Sequence, residues 1–299
     1  WLDMQRSQLG EDTRRVARRR LETWAFPAIG KRPIRHLAPA EILRMLRRIE
    51  AKGKHETAHR VRQRVGQICR YAVATGRADR DPTADLKGAL ATVPTKSRPA
   101  VTNRADVSAL LRAISQYDGQ PATYTALNLL PLVFVRPGEL RRASWDEIDF
   151  QDATWRIPGR RMKMNRDHLV PLSTQAMDLL RELEPITGNR PYVFEGVRPG
   201  RPISENTLNG ALRTLGYSGD QMTPHGFRAI ASTLLHEQGW QPEVIELQLA
   251  HAQRSQVAAA YNRSARLEER RRMMQAWADY LDTLRIGPGA NVTPIHQSL

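Results

Sequence analysis

Cysteine is almost missing from this chain: Cys69 is the only one in 299 residues. No internal disulfide can form, no cysteine cage can hold a metal, and a reducing cytoplasm is the expected setting. Lysine is scarce too, with 6 against 40 arginines. Long apolar runs are lacking. The longest, Thr125 to Val135, is interrupted by Asn128 and Pro131 and falls short of the roughly 20 residues that span a bilayer. No secretory signal opens the chain. It starts at Trp1 rather than methionine, so a piece of a longer protein is expected. With 40% hydrophobic residues the chain can bury cores, and its length suits two domains of ordinary size.

What the chain has is positive charge, +15 in all and unevenly spread. Residues 1–100 carry 23 Lys+Arg against 10 Asp+Glu, whereas residues 101–299 carry 23 against 21. That asymmetry points to a polyanionic partner, nucleic acid ahead of membrane because no lipid-facing helix accompanies it. The preference for arginine suits bidentate phosphate contacts, although a GC-rich coding sequence accounts for most of it. It singles out Lys163, the only lysine after Lys96, as a group able to release a proton where arginine is the default.

Residues 1–91 read as helical. Helices are predicted over Asp12 to Ala25 (Val16, Leu21 and Trp24 inward), Pro39 to Ala51 (Ile42, Met45, Leu46 and Ile49 at helical spacing), Lys54 to Thr75 and Thr83 to Leu90. In the third, Val61, Val65, Ile68 and Ala72 form an apolar stripe flanked by Arg60, Arg62, Arg64 and Arg70, and Gly76 is a stop signal. Basic flanks on one helix are usually solvated. Several helices sharing the bias make a DNA-facing side. Residues 92–104, with Pro94 and Pro99 among polar residues, read as a linker. A second domain over 105–285 reads as mostly helical, with one small antiparallel meander of three short strands, Ile148 to Phe150, Thr154 to Ile157 and His168 to Pro171. Lys163 sits in the basic turn before the last strand. Residues 286–299 form an irregular tail. The fold class is mostly α with a small antiparallel β-meander, an α+β chain.

The chemistry sits in the second domain. Thr223 and Pro224 look like an N-cap and a first helical residue, which puts His225 and Arg228 three apart near the positive end of a helix, where a phosphate is stabilised. Arg136 emerges straight from an apolar run, and a buried arginine needs a partner; Glu139, one turn on, is placed to orient it. His251 follows a helix, and Tyr261 comes ten residues later. Each residue alone reads as ordinary structure: a packed histidine, a buried ion pair, a core tyrosine. The ordered set is what carries information.

That set resembles the tyrosine recombinases, the phage-integrase-like family. The matching residues are Arg136 in Arg-Pro-Gly-Glu-Leu, Lys163 in a β-turn, His225-Gly226-Phe227-Arg228, Leu249-Ala250-His251 and Tyr261. The similarity covers nearly the whole chain. Phe26 to Ile34 and the ending Ala260-Tyr261-Asn262-Arg263 are similar to integrases of prophages and genomic islands. Two departures, Ala250 where glycine is commoner and Phe227 where leucine is frequent, touch no reacting group. The branch usually carries a further amino-terminal arm-binding domain, which fits a chain that opens at Trp1.

The resemblance implies a helical core-type DNA-binding domain, a linker and a catalytic domain that together clasp duplex DNA. It implies catalytic roles for Arg136, Lys163, His225, Arg228, His251 and Tyr261, with Glu139 supporting Arg136 and with DNA contacts from Arg60, Arg62, Arg64 and Arg70. No metal, nucleotide or other cofactor is called for. The partners implied are double-stranded attachment-site DNA, a homotetramer on synapsed DNA and a DNA-bending accessory protein, in the nucleoid-associated cytoplasm. Two alternatives stay open on the residues alone: a type IB topoisomerase-like relaxase using the same tyrosine, and a DNA-binding protein without catalysis.

Overall fold

The computed structural model describes residues 1–7, 9–93, 99–162, 165–251 and 266–286. Lys163, Tyr261, the centre of the expected linker and the tail beyond residue 286 lie outside the described residues. Two compact units are formed, Trp1–Lys96 and Ser97–Leu299, each around its own apolar core.

In the first unit, α1 (Glu11–Arg20) runs through one π-helical turn (Leu21–Ala25) into the short α2 (Phe26–Ile29). Ala17, Leu21, Ala25 and Ile29 are buried. A spacing of four drifts by about 40° per step on an α-helix, and a π turn, with more residues per turn, takes up that drift. This corrects the expected inward face: Val16 is 42% exposed. In α3 (Pro39–Glu50) the four apolar residues at helical spacing are all buried, and the Ala38 N–H donates to Glu41 Oε2 at 3.1 Å. The long α4 (His55–Ala74) buries Ala58, Val61, Val65, Cys69 and Ala72, and Gly76 at φ +67° follows its end.

The helix expected over Thr83 to Leu90 is only a 3-10 turn, Ala84–Leu86. Gly88, at φ +82°, takes the chain out of helical geometry. Before the turn, Asp81 Oδ1 accepts from the Thr83 backbone N–H at 2.9 Å and its hydroxyl at 2.7 Å. This locked threonine lies against Gly66 of α4, where an added Cβ would come 2.3 Å from Thr83 Oγ1. Gly66→Ala should therefore lose about 1–3 kcal/mol to overpacking, outweighing the ~1 kcal/mol gained in helix propensity. Urea melts of the two proteins would measure it.

The second unit is built round α6 (Pro121–Val133), buried at nearly every position from Ala122 on. A helix apolar on all sides belongs inside a core, and α5 (Arg104–Ser115), α8 (Thr174–Thr187), α9 (Thr207–Thr214), α10 (Gly226–Glu237) and α12 (Leu267–Ile286) pack on it or on one another. Trp277 of α12 donates its indole N–H to the Pro131 carbonyl at 2.9 Å and meets the Phe134 ring edge-on. The short helices α7 (Pro137–Leu140) and α11 (Pro242–Gln248) carry site residues at their ends. Strands β1 (Ile148–Asp149), β2 (Thr154–Ile157) and β3 (His168–Pro171) form an antiparallel meander in chain order. Trp155 stands opposite Ile148 on one side and Val170 on the other. The architecture is mostly α with one small antiparallel sheet, as expected. Among the described residues no helix is long and apolar enough to cross a membrane, and no cluster of His, Cys, Asp or Glu is arranged to hold a metal.

Candidate active site

Two helix ends meet beside α10. Helix α6 stops at Phe134 (φ +38°), and the chain after α11 turns at Ala250 (φ +49°). Both residues hold a left-handed conformation without being glycine, which is uncommon. Carbonyls at a helix C-terminus lack intrahelical partners and sit at the negative end of the helix dipole, so a cation suits them. Arg228 supplies it. Its Nη1 donates to the Phe134 carbonyl at 2.8 Å and its Nη2 to the Leu249 carbonyl at 2.6 Å. Only 6% of Arg228 is exposed.

Arg136 approaches the same loop. Its Nη2 donates to the Ala250 carbonyl at 3.3 Å, and its Nη1 to Glu139 Oε1 at 2.8 Å. The other Glu139 oxygen accepts the Arg136 backbone N–H at 2.9 Å, so one buried carboxylate holds both ends of the arginine. His251 completes the group: its Nε2 lies 3.3 Å from Arg228 Nη2 and its Nδ1 2.7 Å from Glu246 Oε2. The carboxylate favours a proton on Nδ1, which leaves Nε2 as an acceptor for the guanidinium. Arg136, Arg228 and His251, far apart along the chain, are thus joined by one turn, Leu249 to His251.

His225 is half-buried at the N-cap of α10. The helix begins at Gly226, two residues later than Pro224 and Thr223 led one to expect, because the Gly226 N–H closes a tight turn on the Thr223 carbonyl at 2.8 Å. The Arg228 N–H donates to the His225 carbonyl at 3.2 Å, which sets the two side chains one turn apart. Gly226 is required between them: a Cβ would come 2.8 Å from both the Pro99 carbonyl and Met222 Sδ.

The loop that contains Lys163 is fastened at its base. The Gly159 N–H donates to Asp167 Oδ1 at 2.8 Å, and a Cβ on Gly159 would come 2.9 Å from the Arg166 nitrogen. Arg161, two residues before Lys163, bonds to the Arg142 carbonyl and pairs with Glu147. Burial pushes the Glu147 carboxyl up and the Arg161 guanidinium down, and the pairing opposes both shifts. No motif or apolar period marks Glu246 or Arg161 in the sequence; Glu246 meets His251 through the turn that ends α11, and Arg161 reaches the Glu139 and Arg142 carbonyls through the tertiary fold.

The four arginines of α4 all have partners inside the first unit. Arg60 pairs with Glu56 at 2.8 Å, Arg62 donates to the Leu86 carbonyl at 3.0 Å, Arg64 to Gln67 at 2.8 Å, and Arg70 pairs with Asp81 at 2.6 Å. Arg62 and Arg70 therefore hold the 81–86 segment on α4. Burial first, then the neighbouring charges of Arg20 and Arg60, hold the Arg64 guanidinium below its ordinary range. Like charges are crowded at that place, which favours an anion.

Residues 1–89 match the phage integrase central domain, and residues 101–268 match the phage integrase family. The integrase of enterobacteria phage P4 is 43% identical over 291 residues, covering 92% of this chain and 66% of that one. The prophage integrase IntA of Escherichia coli K12 is 37% identical over 281 residues, covering 93% and 67%. The chain thus spans about two thirds of the length of these relatives. A lambda integrase dimer bound to a COC′ core site has a similar fold, with a TM-score of 0.67 at 20% identity over 85% of this chain and 94% of that one. The Tn1549 transposon integrase in complex with circular intermediate DNA gives 0.66 at 15% identity over 89% and 95%. With a family model matching more than half of its residues and relatives of this identity, the chain belongs to the phage integrase family, the site-specific recombinases of the tyrosine type, in the branch of phage and prophage integrases.

Proposed function

We propose that this chain is the DNA-clasping and strand-cleaving part of an integrase that integrates or excises a mobile element. The observation that carries the reading is the junction of Arg136, Arg228 and His251 on one turn: two guanidiniums and an imidazole suited to the non-bridging oxygens of one phosphodiester. The Tyr261 phenol oxygen attacks the scissile phosphorus, the bond to the 5′-oxygen breaks, and a 3′-phosphotyrosine forms. Lys163 gives its proton to the leaving 5′-oxygen, a task arginine cannot perform near neutral pH. His225 assists the departure of the phenol proton, and Glu139 orients Arg136. A 5′-hydroxyl from the partner duplex then reverses the step and joins new strands. The phosphotyrosine conserves the bond energy, so neither metal nor nucleotide is required.

Residues 1–91 form the core-type DNA-binding domain and 105–285 the catalytic domain in this reading, joined by the 92–104 linker. Arg60, Arg62, Arg64 and Arg70 meet backbone phosphates. A lambda integrase dimer is known on a core site and a tetramer on a Holliday junction. By the same scheme this chain acts as a homotetramer on two synapsed attachment sites, with an accessory protein bending the DNA and the tail contacting a neighbour.

Nicked duplexes carrying the ends of the native element test it. Incubation should give a detergent-resistant protein–DNA adduct, and binding should weaken with salt at a slope of about −0.9 per phosphate contact. Tight salt-dependent binding with no adduct would favour the non-catalytic binder. An adduct that relaxes supercoils without exchanging strands would favour the relaxase.

A further inference from the structure

Arg270, in the first turn of α12, is a buried cation that the reaction scheme does not use. Only 5% of it is exposed. Its Nε and Nη2 donate to Gln248 Oε1 at 3.0 and 2.6 Å, and Nη2 also bonds the Leu169 carbonyl of β3. Among the described residues no carboxylate pairs with it. Burial pushes the guanidinium down to about 10. An uncompensated buried charge is costly. Gln248 adds to the cost: it is fully buried, and its Nε2 has no partner among the described residues. A polar network left incomplete destabilises a core relative to apolar packing, so stability alone does not account for it.

The network is attached to the site. The Gln248, Leu249 and Ala250 carbonyls are taken in order by His168 Nε2 at 3.1 Å, Arg228 Nη2 and Arg136 Nη2. One short backbone row anchors an imidazole and two guanidiniums, and the side chain of its first residue is held by Arg270. His168 lies within the influence of all three arginines; burial first, then Arg270, brings it down to about 3 and keeps it neutral. Arg270, Arg228 and Arg136 all act on this neutral histidine, and Arg136 is itself paired with Glu139.

We propose that Arg270 is a positioning residue for strand cleavage: fastened to Gln248 and the Leu169 carbonyl, it braces the 248–250 carbonyl row that orients Arg228 and Arg136, and its unpaired charge biases the site toward the phosphodiester. The inference rests on the recombinase reading above. It is tested in the full chain with Gln248→Glu, which keeps an acceptor for Arg270 while cancelling its charge. Single-turnover adduct formation on nicked duplex, DNA affinity and thermal melting are measured together. Gln248→Glu should melt at or above the wild-type temperature and bind DNA comparably, yet cleave about tenfold or more slowly. A brace without an electrostatic role would leave that rate unchanged, and cleavage by Gln248→Glu at the wild-type rate overturns the proposal. Should this variant lose its melting transition, Arg270→Lys decides. With the charge kept, it should cleave clearly faster than Arg270→Met, and equal rates for the two overturn the proposal. Failure of the wild type to form any adduct would instead remove the recombinase reading itself.

Discussion

Tyr261→Phe should abolish the covalent protein–DNA adduct while leaving DNA affinity nearly unchanged. The substitution deletes one oxygen atom. A phenol of ordinary pKa, about 10, is a poor nucleophile unless its proton leaves as the new bond forms, but phenylalanine has no atom that can attack at all. The expected loss is complete within detection. In the proposed reading affinity resides elsewhere, in a first domain with 13 more basic than acidic residues up to position 100, so binding and its salt slope should persist. The assay compares both proteins on the same nicked duplex, by denaturing gel for the adduct and by mobility shift for binding. An adduct in the phenylalanine variant would mean that another side chain is the nucleophile.

Arg228→Lys should cost on the order of 10²–10³ in cleavage rate, the scale of removing one preorganised donor from a developing charge. The charge survives, but a guanidinium does three things here that an ammonium cannot do together. It reaches the Phe134 carbonyl at 2.8 Å, the Leu249 carbonyl at 2.6 Å and His251 at 3.3 Å with separate, fixed donors. Lysine has three donors on a flexible stem and no planar fork. Arg228→Ala would leave two buried carbonyls without this donor, at about 1–3 kcal/mol for each, so a loss of activity there would mix catalysis with unfolding. The lysine variant separates them. Its melting temperature should fall modestly while single-turnover cleavage falls by orders of magnitude; a cleavage rate close to wild type would remove Arg228 from the phosphate site.

Much of the fold was legible because burial imposes a period. Thr154 to Ile157 and His168 to Pro171 alternate and became strands with those same bounds, and the apolar positions of α3 are all buried. The period failed where the geometry itself changed. Val16 faces solvent because Ala17, one residue on, takes the inward position on the face that the π turn carries through Leu21, Ala25 and Ile29, and the helix expected over Thr83 to Leu90 is a single 3-10 turn ahead of a left-handed glycine.

The family and the fold class follow from the sequence alone, since the types and order of the marked residues, from Arg136 to Tyr261, are properties of the chain. So does the charge asymmetry that names a polyanion. What the tertiary structure decided is how Arg136, Arg228 and His251 are held. Glu246 against His251, Arg161 against Glu147 and Arg270 against Gln248 unite positions that are distant in sequence or follow no helical or strand period. Arg228 and Arg136 also reach backbone carbonyls, which every residue possesses and which no side-chain pattern can mark. Only when two helix ends are brought together do the Phe134, Leu249 and Ala250 carbonyls become a socket for two guanidiniums.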